Sequence, residues 1–439
     1  MLPDNVKLIS QALAFFVPYL FRYILQCGQA VYHSWTWRNT PDAKNVVVLG
    51  GSFAGIELVN RLVDTLPTGY KVVLIEKNSH FNYSFNFPRF SVMRGHEHKA
   101  FIPYNGIASA APAGIFRRVQ DTAVGLTETQ VILSSGDKID YAILAIATGS
   151  SQPLPVQVTA TEHGEACHEL QGVQEIIMAS HKIAIVGGGA VGVELASDIK
   201  DFYPDKEVTL IHSRDRLLSH FGRRLGDYTL TALQDELNIR VLLQERPEIP
   251  AVGNMARSAK LTLSDGCVEE FDLIIGCTGQ RPNSAILSSL LPSAISKESS
   301  RILVQPTLEI LTASVSAPDM GTHIFALGDV ADHPGPRMAR AGWMQASVVV
   351  DNILAIIRRE KPSQRYTPNV FLEGAIKLTL GKTHNVVYAM SADGSDVLVP
   401  ARNNRLDLGI ERAWKQYGVG GMFKMANKGF DKQHLASDT

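Results

Sequence analysis

Charge is in short supply in this chain. Charged residues make up 19% of its 439 positions, and 42 Lys and Arg against 43 Asp and Glu leave a net charge of −1; soluble domains average about 25% charged. With no field of one sign to hold a polyanion, nucleic acid is not an expected partner. Cysteine is scarcer still. Cys27, Cys167, Cys267 and Cys277 are scattered and no two form a C-x-x-C. That argues against a secreted disulfide framework, a zinc site and a redox-active dithiol, and favours a reducing, intracellular compartment. What the chain has instead is apolar residues, 45% of the total. At this length two or three domains are expected, with a large interior or some membrane contact.

Acidic residues are missing altogether between Asp4 and Asp42. Within that interval, residues 8 to 37 carry one charge, Arg22, and Leu8 to Phe21 is almost wholly apolar, interrupted by Pro18. Tyr19, Tyr23, Tyr32, Trp35 and Trp37 crowd the second half, as aromatic residues do at a membrane interface. Residues 1 to 44 therefore read as an apolar anchor and its linker. The run is shorter than the ~20 residues that cross a bilayer, so a helix lying in one leaflet competes with a single span. A cleaved targeting peptide and a helix packed on the body of the protein remain as alternatives.

Glycine is plentiful where strands end. Asn45 to Gly55 reads Asn-Val-Val-Val-Leu-Gly-Gly-Ser-Phe-Ala-Gly. Val46 to Leu49 predicts a buried parallel strand, and Gly50, Gly51, Ser52 and Gly55 turn it into a helix whose first N–H groups and dipole suit a pyrophosphate. Gly50 and Gly55 take the outer positions of G-x-G-x-x-G and Ser52 the middle one. A second strand, Lys71 to Ile75, ends at Glu76, roughly 20 residues on, where an acid accepts hydrogen bonds from a ribose. The aromatic stretch Phe81 to Arg89 that follows reads either as core or as cover for a planar ligand. Gln130 to Leu133 and Lys138 to Asp140 predict a hairpin around Gly136-Asp137. The strand Tyr141 to Ile146 then ends in Ala147-Thr148-Gly149-Ser150, small enough for close backbone approach.

The glycine pattern is complete in Lys182 to Glu194. Gly187, Gly189 and Gly192 satisfy G-x-G-x-x-G between a strand, Ile183 to Val186, and a helix from about Val191 to Lys200. This is a second dinucleotide unit. Its second strand, Glu207 to Ile211, ends in His212-Ser213-Arg214 rather than in an acid, and Arg214 is available to a 2′-phosphate, so NADPH is favoured over NADH. Lys260 to Leu263 and Phe271 to Gly276 are further strands, followed by Cys277-Thr278-Gly279. Ser284 to Arg301 reads as a connector. The strand His323 to Leu327 runs into Gly328-Asp329, where an aspartate can bind ribityl hydroxyls of a flavin nucleotide.

In this order the pieces resemble the two-dinucleotide-binding-domain flavoproteins. Within them the chain is similar to the apoptosis-inducing-factor-like NAD(P)H:quinone oxidoreductases of the ferroptosis-suppressor branch, over about residues 45 to 416. Ala147-Thr148-Gly149-Ser150, Gly187 to Glu194, Glu207 to Ser213, Cys277-Thr278-Gly279 and Phe325 to Asp329 carry the resemblance, with Arg337-Met338-Ala339, Asp351-Asn352-Ile353 and Ala413-Trp414-Lys415. The fold implied is α/β. Two Rossmann-like dinucleotide-binding domains, glutathione-reductase-like, carry a small C-terminal α+β domain. FAD is expected on residues 45–155 and 285–365, NAD(P)H on 156–284, and the C-terminal domain with an amphipathic tail on 366–439.

The resemblance also implies roles. Gly50, Gly51, Ser52, Gly55 and Glu76 would hold the ADP part of FAD, with Thr148, Gly149 and Gly279 at close backbone approaches and Asp329 on the ribityl side. Gly187, Gly189, Gly192, Glu194 and Arg214 would lie at the nicotinamide nucleotide. Arg337, where similar proteins usually carry lysine, would sit near the flavin and stabilise its reduced, anionic ring. The chain begins Met1-Leu2-Pro3, without the second-position glycine that myristoylation needs, so the apolar segment stands in for a lipid. The reaction implied passes hydride from NAD(P)H to flavin and electrons on to a quinone at the cytoplasmic face of a membrane. No metal is called for. Two rivals remain: a tailoring oxidoreductase of a small aromatic metabolite, and a nucleotide-sensing effector without turnover. Homodimer formation is left open.

Overall fold

A computed structural model describes residues 3–249, 255–311 and 323–423. The first element, α1, is a 33-residue helix, Asp4–Thr36, continuous through Pro18, whose missing N–H removes one bond of the ladder. Among the described residues no helix is long and apolar enough to cross a membrane.

Strand β1, Lys44–Leu49, then enters the first sheet, followed by helix α2, Phe53–Val63, and strand β2, Tyr70–Glu76. The sheet has five parallel strands in the order Ile324–Ala326, Ile143–Ile146, β1, β2, Phe116–Gln120. Its first strand comes from far down the chain, so the fold returns to this sheet after building a second one. Val46, Val47 and Val48 are fully buried because both faces of β1 are covered, which is why a central parallel strand reads as one apolar run. Alternate side chains divide between the faces. Val46 and Val48 pack with Ile56 and Val59 of α2 and with Ala346 and Val349 of the helix Ala339–Ile357. Val47 and Leu49 face the opposite way, onto Leu126, Val131, Leu287 and Ala294. The segment expected as a connector, Ser284 to Arg301, is therefore part of the core. Phe81 and Phe87 of the aromatic stretch, with Phe90 just beyond it, are likewise core residues.

The second sheet repeats the plan. Its order is Arg240–Leu243, Glu207–His212, Lys182–Val186, Val268–Gly276, Met255–Thr262, with only the last strand antiparallel. Helix Ala190–Phe202 covers one face through Val193, Ala196 and Ile199. A third, antiparallel sheet joins Ile376–Leu380, His384–Met390 and Asp396–Arg402. Its last strand holds Pro400 and lies at the edge, where a missing ladder donor is tolerated. The helix Glu411–Gln416 buries Trp414, whose Nε1–H donates to the Lys99 carbonyl at 2.9 Å. Lys424, Met425, Lys428 and Phe430 of the expected amphipathic tail lie outside the described residues.

One buried side chain ties three parts of the chain together. Arg89 closes the aromatic stretch, and its guanidinium pairs with Asp198 at 2.8 Å, with 1% and 0% of the two side chains exposed. Asp198 belongs to the helix beside the second sheet. The same guanidinium donates to the carbonyls of Gly381 at 2.7 Å and Leu406 at 3.0 Å, both in the C-terminal region.

Candidate functional site

Each parallel sheet ends in the same local device. Gly50 and Gly187 have φ of +98° and +131°, in the region that favours glycine. Their N–H groups donate to the carbonyls of Ile75 and Ile211 at 2.9 and 2.8 Å, so each turn is tied to the neighbouring strand. A Cβ on Gly55 would overlap the Gly50 carbonyl oxygen, and one on Gly192 would overlap that of Gly187. The third glycine of each motif is thus required by the close approach of helix to turn.

Two helix N-termini are left open by this packing. Neither Ser52 nor Gly189, the residues before α2 and the helix Ala190–Phe202, supplies a side-chain cap. Ser52 is exposed, and a Cβ on Gly189 would meet nothing within 4 Å. Free N–H groups and positive dipole ends facing open space suit the pyrophosphates of two dinucleotides. The cradles therefore fit FAD and NAD(P)H, with the serine hydroxymethyl pointing outward rather than filling the first turn.

The acid after β2 has a second task. Gly51 N–H donates to Glu76 Oε2 at 2.5 Å and Asn78 N–H to Oε1 at 2.8 Å, so the carboxylate orders the turn as well as standing at its rim. Burial raises the pKa of Glu76, against the pull of those two N–H groups. Tyr104, which sequence reasoning did not single out, donates its hydroxyl to the Gly51 carbonyl at 2.6 Å. In the second unit Gly188 N–H donates to His212 Nδ1 at 3.1 Å. His212 occupies the place of Glu76. It, rather than Ser213 or Arg214, replaces the acid, while Arg214 is exposed on the loop beyond.

The two units meet at their Thr-Gly segments. Thr148 and Asn283 exchange hydrogen bonds, Thr148 Oγ1 to the Asn283 carbonyl at 2.9 Å and Asn283 Nδ2 to the Thr148 carbonyl at 2.8 Å, and Asn283 N–H donates to the Gly149 carbonyl at 3.0 Å. Gly149 and Gly279 both have positive φ, 64° and 86°. Beside them Asp329 Oδ2 accepts from Gln280 Nε2 at 2.7 Å and Ser150 Oγ at 3.2 Å. Thr148, Gly149, Gly279 and Asp329 are thus brought into one cluster. Gln280 and Asn283 complete it, and only their place right after Cys277-Thr278-Gly279 could have marked them.

Arg337 and Glu194 are both engaged by protein groups. Arg337 donates to the carbonyls of Ala331 at 2.6 Å and His333 at 3.2 Å and pairs with Asp332 at 3.3 Å. It braces the turn that follows Asp329. Burial, then the neighbouring Arg301, lowers its pKa. Glu194 points at the third sheet, where its Oε1 accepts from Thr379 N–H at 3.0 Å and Thr379 Oγ1 at 3.2 Å.

Burial, the largest cause, and nearby Asp198 push the Glu194 pKa up from 4.5 to about 7, against the bonds from Thr379. A raised folded-state pKa means that the folded protein holds a proton that the unfolded chain releases. Stability from this group therefore falls as pH rises from about 4.5 to about 7 and is level above. Glu194→Gln keeps an oxygen for Thr379 and removes that dependence. Thermal midpoints should fall less between pH 5 and pH 8 in the variant than in the parent; equal slopes would contradict the assignment.

The aromatic stretch lies against the first cradle. Phe53, at the start of α2, meets Phe85 in a tilted pair at 4.7 Å and Phe81 edge-on at 5.0 Å, and Phe81 in turn touches Tyr417 at 4.7 Å between ring centroids. The C-terminal region thus reaches over the segment beside the FAD-type turn.

Comparison with known proteins agrees with this geometry. Residues 44–348 match the pyridine nucleotide-disulphide oxidoreductase family. Fe-regulated protein 8 of Mycosarcoma maydis is 33% identical over 403 residues, covering 86% of this chain and 95% of that protein. Ferroptosis suppressor protein 1 of Homo sapiens is 27% identical over 385 residues, covering 85% and 95%. The solved structure of sulfide:quinone oxidoreductase from Aquifex aeolicus has a TM-score of 0.67 at 16% identity, covering 86% of this chain and 92% of that one. At that identity the likeness is one of fold.

Proposed function

Because this chain belongs to the pyridine nucleotide-disulphide oxidoreductases and is an FAD-dependent NAD(P)H oxidoreductase, we propose that it reduces a lipid-soluble quinone at a membrane surface, with NADPH as the preferred donor. The observation that carries the acceptor reading is the state of the cysteines. All four are free and dispersed, so no internal dithiol takes the electrons onward. An external acceptor must do so. The resemblance to the ferroptosis-suppressor branch and the exposed apolar residues of α1 support a quinone dissolved in lipid.

Bound FAD supplies the acceptor for hydride from the reduced nicotinamide and releases the electrons to the second substrate. The chain's own contribution is position and electrostatics. Gly50 and Gly51 shape the turn, and Ser52 and Gly55, at the open start of α2, offer N–H groups to one pyrophosphate, with Glu76 for the ribose and Asp329 for the ribityl hydroxyls. Gly187, Gly189 and Gly192 serve the nicotinamide nucleotide. Thr148, Gly149 and Gly279 bring the two units into register, and Arg337 holds the turn that carries Asp329. The balance is NADPH plus a proton and quinone giving NADP⁺ and hydroquinone. No group on the protein is consumed.

Donor choice follows from the rim of the second cradle. A neutral imidazole, His212, stands where the first unit has a carboxylate, and burial followed by Arg214 lowers its pKa. No carboxylate takes the place that Glu76 has in the first unit, and the exposed Arg214 can pair with a 2′-phosphate. A hydrogen bond to a charged group contributes about 1.5–3 kcal/mol. Arg214→Ala should therefore raise KM for NADPH roughly tenfold and leave KM for NADH nearly unchanged; equal effects on both donors would remove Arg214 from the argument.

Anaerobic stopped-flow mixing tests the whole reading. NADPH should bleach the flavin band near about 450 nm faster than NADH does, and a short-chain ubiquinone analogue should restore it. A flavin that bleaches but ignores quinone would point to a small-molecule tailoring reaction instead.

A further inference from the structure

From the placement of α1 we infer that this helix lies in the plane of one lipid leaflet, as a two-ended strap that turns a fixed face of the enzyme to the membrane. The inference rests on the membrane reading above and deepens it. Both ends of α1 are fastened to one body. At the amino end Asp4 pairs with Arg224 at 2.6 Å and accepts from Leu398 N–H at 3.3 Å, and Leu8 packs against Phe371, Ala389 and Val397. At the carboxyl end His33 Nε2 meets the Leu66 carbonyl at 2.6 Å, Arg38 N–H donates to Thr68 Oγ1 at 3.0 Å, and Trp37 is buried. A helix of this length is about 50 Å long. If it crossed a bilayer its ends would stand in different aqueous phases, but both rest on the same folded molecule.

The outward face has the chemistry of a lipid contact. Val6, Ile9, Leu13, Val17, Leu20, Ile24, Val31 and Trp35 are all exposed, from 45% for Val6 to 73% for Trp35. At about 100° per residue they fall within an arc of roughly 80°. Asp4, Leu8 and His33, which hold the helix to the body, fall about opposite that arc. The apolar stripe is therefore aimed away from the protein along the whole strap. Eight large apolar side chains on one face, interrupted only at Cys27 and Gly28, exceed what an isolated soluble surface usually shows. Charge selects the occupant. From residue 5 to residue 41 the chain has Lys7, Arg22 and Arg38 and no acid, which suits anionic lipid headgroups.

Depth measurement on the full-length holoenzyme tests the inference. Nitroxide labels are placed singly at Leu13→Cys, at Leu20→Cys and on native Cys27, with the other cysteines changed to serine. These positions are seven residues apart and share the stripe. With vesicles of phosphatidylcholine and phosphatidylglycerol, accessibility to oxygen and to a nickel chelate should place all three at one shallow depth. Depths that step by roughly 10 Å between successive labels would establish a span and overturn the inference. Labels equally open to water with and without vesicles would also overturn it, as would labels already shielded before vesicles are added in a protein that sediments as a dimer. Leu13→Ser with Leu20→Ser should lower vesicle partitioning at least tenfold, judged by the apolar area withdrawn from lipid. Quinone turnover is measured on the same preparations with a water-soluble analogue. Lost turnover with docking intact strikes the acceptor reading alone, and intact turnover without docking strikes this one alone.

Discussion

Gly55→Ala should yield a protein without flavin, whereas Gly192→Ala should yield a yellow protein that NADPH no longer bleaches at an appreciable rate. Both outcomes come from a single methyl group. In each unit the added Cβ would overlap the carbonyl oxygen of the first glycine of its own motif, and a backbone oxygen has no rotamer by which to move aside. That oxygen belongs to a turn already tied to the adjacent strand through Ile75 or Ile211. The helix must therefore back away from the turn, and its N–H groups leave the phosphate position. Overpacking of this kind costs about 1–3 kcal/mol or more. A loss of roughly 100-fold in affinity for the nucleotide of the altered unit corresponds to the upper part of that range. The ratio of flavin to protein absorbance after purification measures the first variant, and the single-turnover bleaching rate the second. If Gly55→Ala kept a full complement of flavin, the first cradle could not be the flavin's.

Arg89→Met should destabilise the protein by about 3–5 kcal/mol, the cost of leaving a buried charge without its partner. Asp198, fully buried, would lose its cation, and the carbonyls of Gly381 and Leu406 would lose their donor. Burial, the largest cause, already raises the Asp198 pKa even with the guanidinium opposing it. Without Arg89 the carboxyl stays protonated in the folded state to higher pH. The deficit is then present above the ordinary carboxylate range and shrinks as pH falls toward it. Urea midpoints at pH 5 and pH 8 should show the larger loss at pH 8. Pairing Arg89→Met with Asp198→Leu should return most of the lost stability, since replacing both partners of a buried pair by apolar groups is often neutral. If the double variant were as unstable as the single one, the bonds to Gly381 and Leu406, rather than the ion pair, would carry the effect.

Much of the scaffold was legible because its signals are local. A parallel strand covered on both faces must be a short apolar run, and a turn between that strand and a helix must contain glycine where φ is positive or where helix and turn touch. Val46 to Leu49 with Gly50 and Gly55, and Ile183 to Val186 with Gly187 and Gly192, meet those demands within a dozen residues each. Strands that escaped notice are edge strands. Phe116–Gln120 contains Arg117 and Arg118, and Asp396–Arg402 contains Pro400, residues that an edge tolerates and a central strand does not.

By itself the sequence determined two dinucleotide cradles, their order along the chain, the acid after the first, the lack of an acid after the second, and an apolar amino-terminal segment free of acid. Only the tertiary structure decided which side chain stands in that acid's place. His212 was identified by its bond to Gly188, which matches that of Glu76 to Gly51, because strand register and not residue count sets which position faces the turn. Folding also turned Glu194 toward Thr379, committed Arg337 to the turn after Asp329, and joined Arg89 to partners more than a hundred residues away. The same holds for α1. Its helical stripe is written in its spacing, but the direction of that stripe is fixed by Asp4, Leu8 and His33 meeting residues far away in the chain, and long-range contacts of that kind leave no local pattern to read.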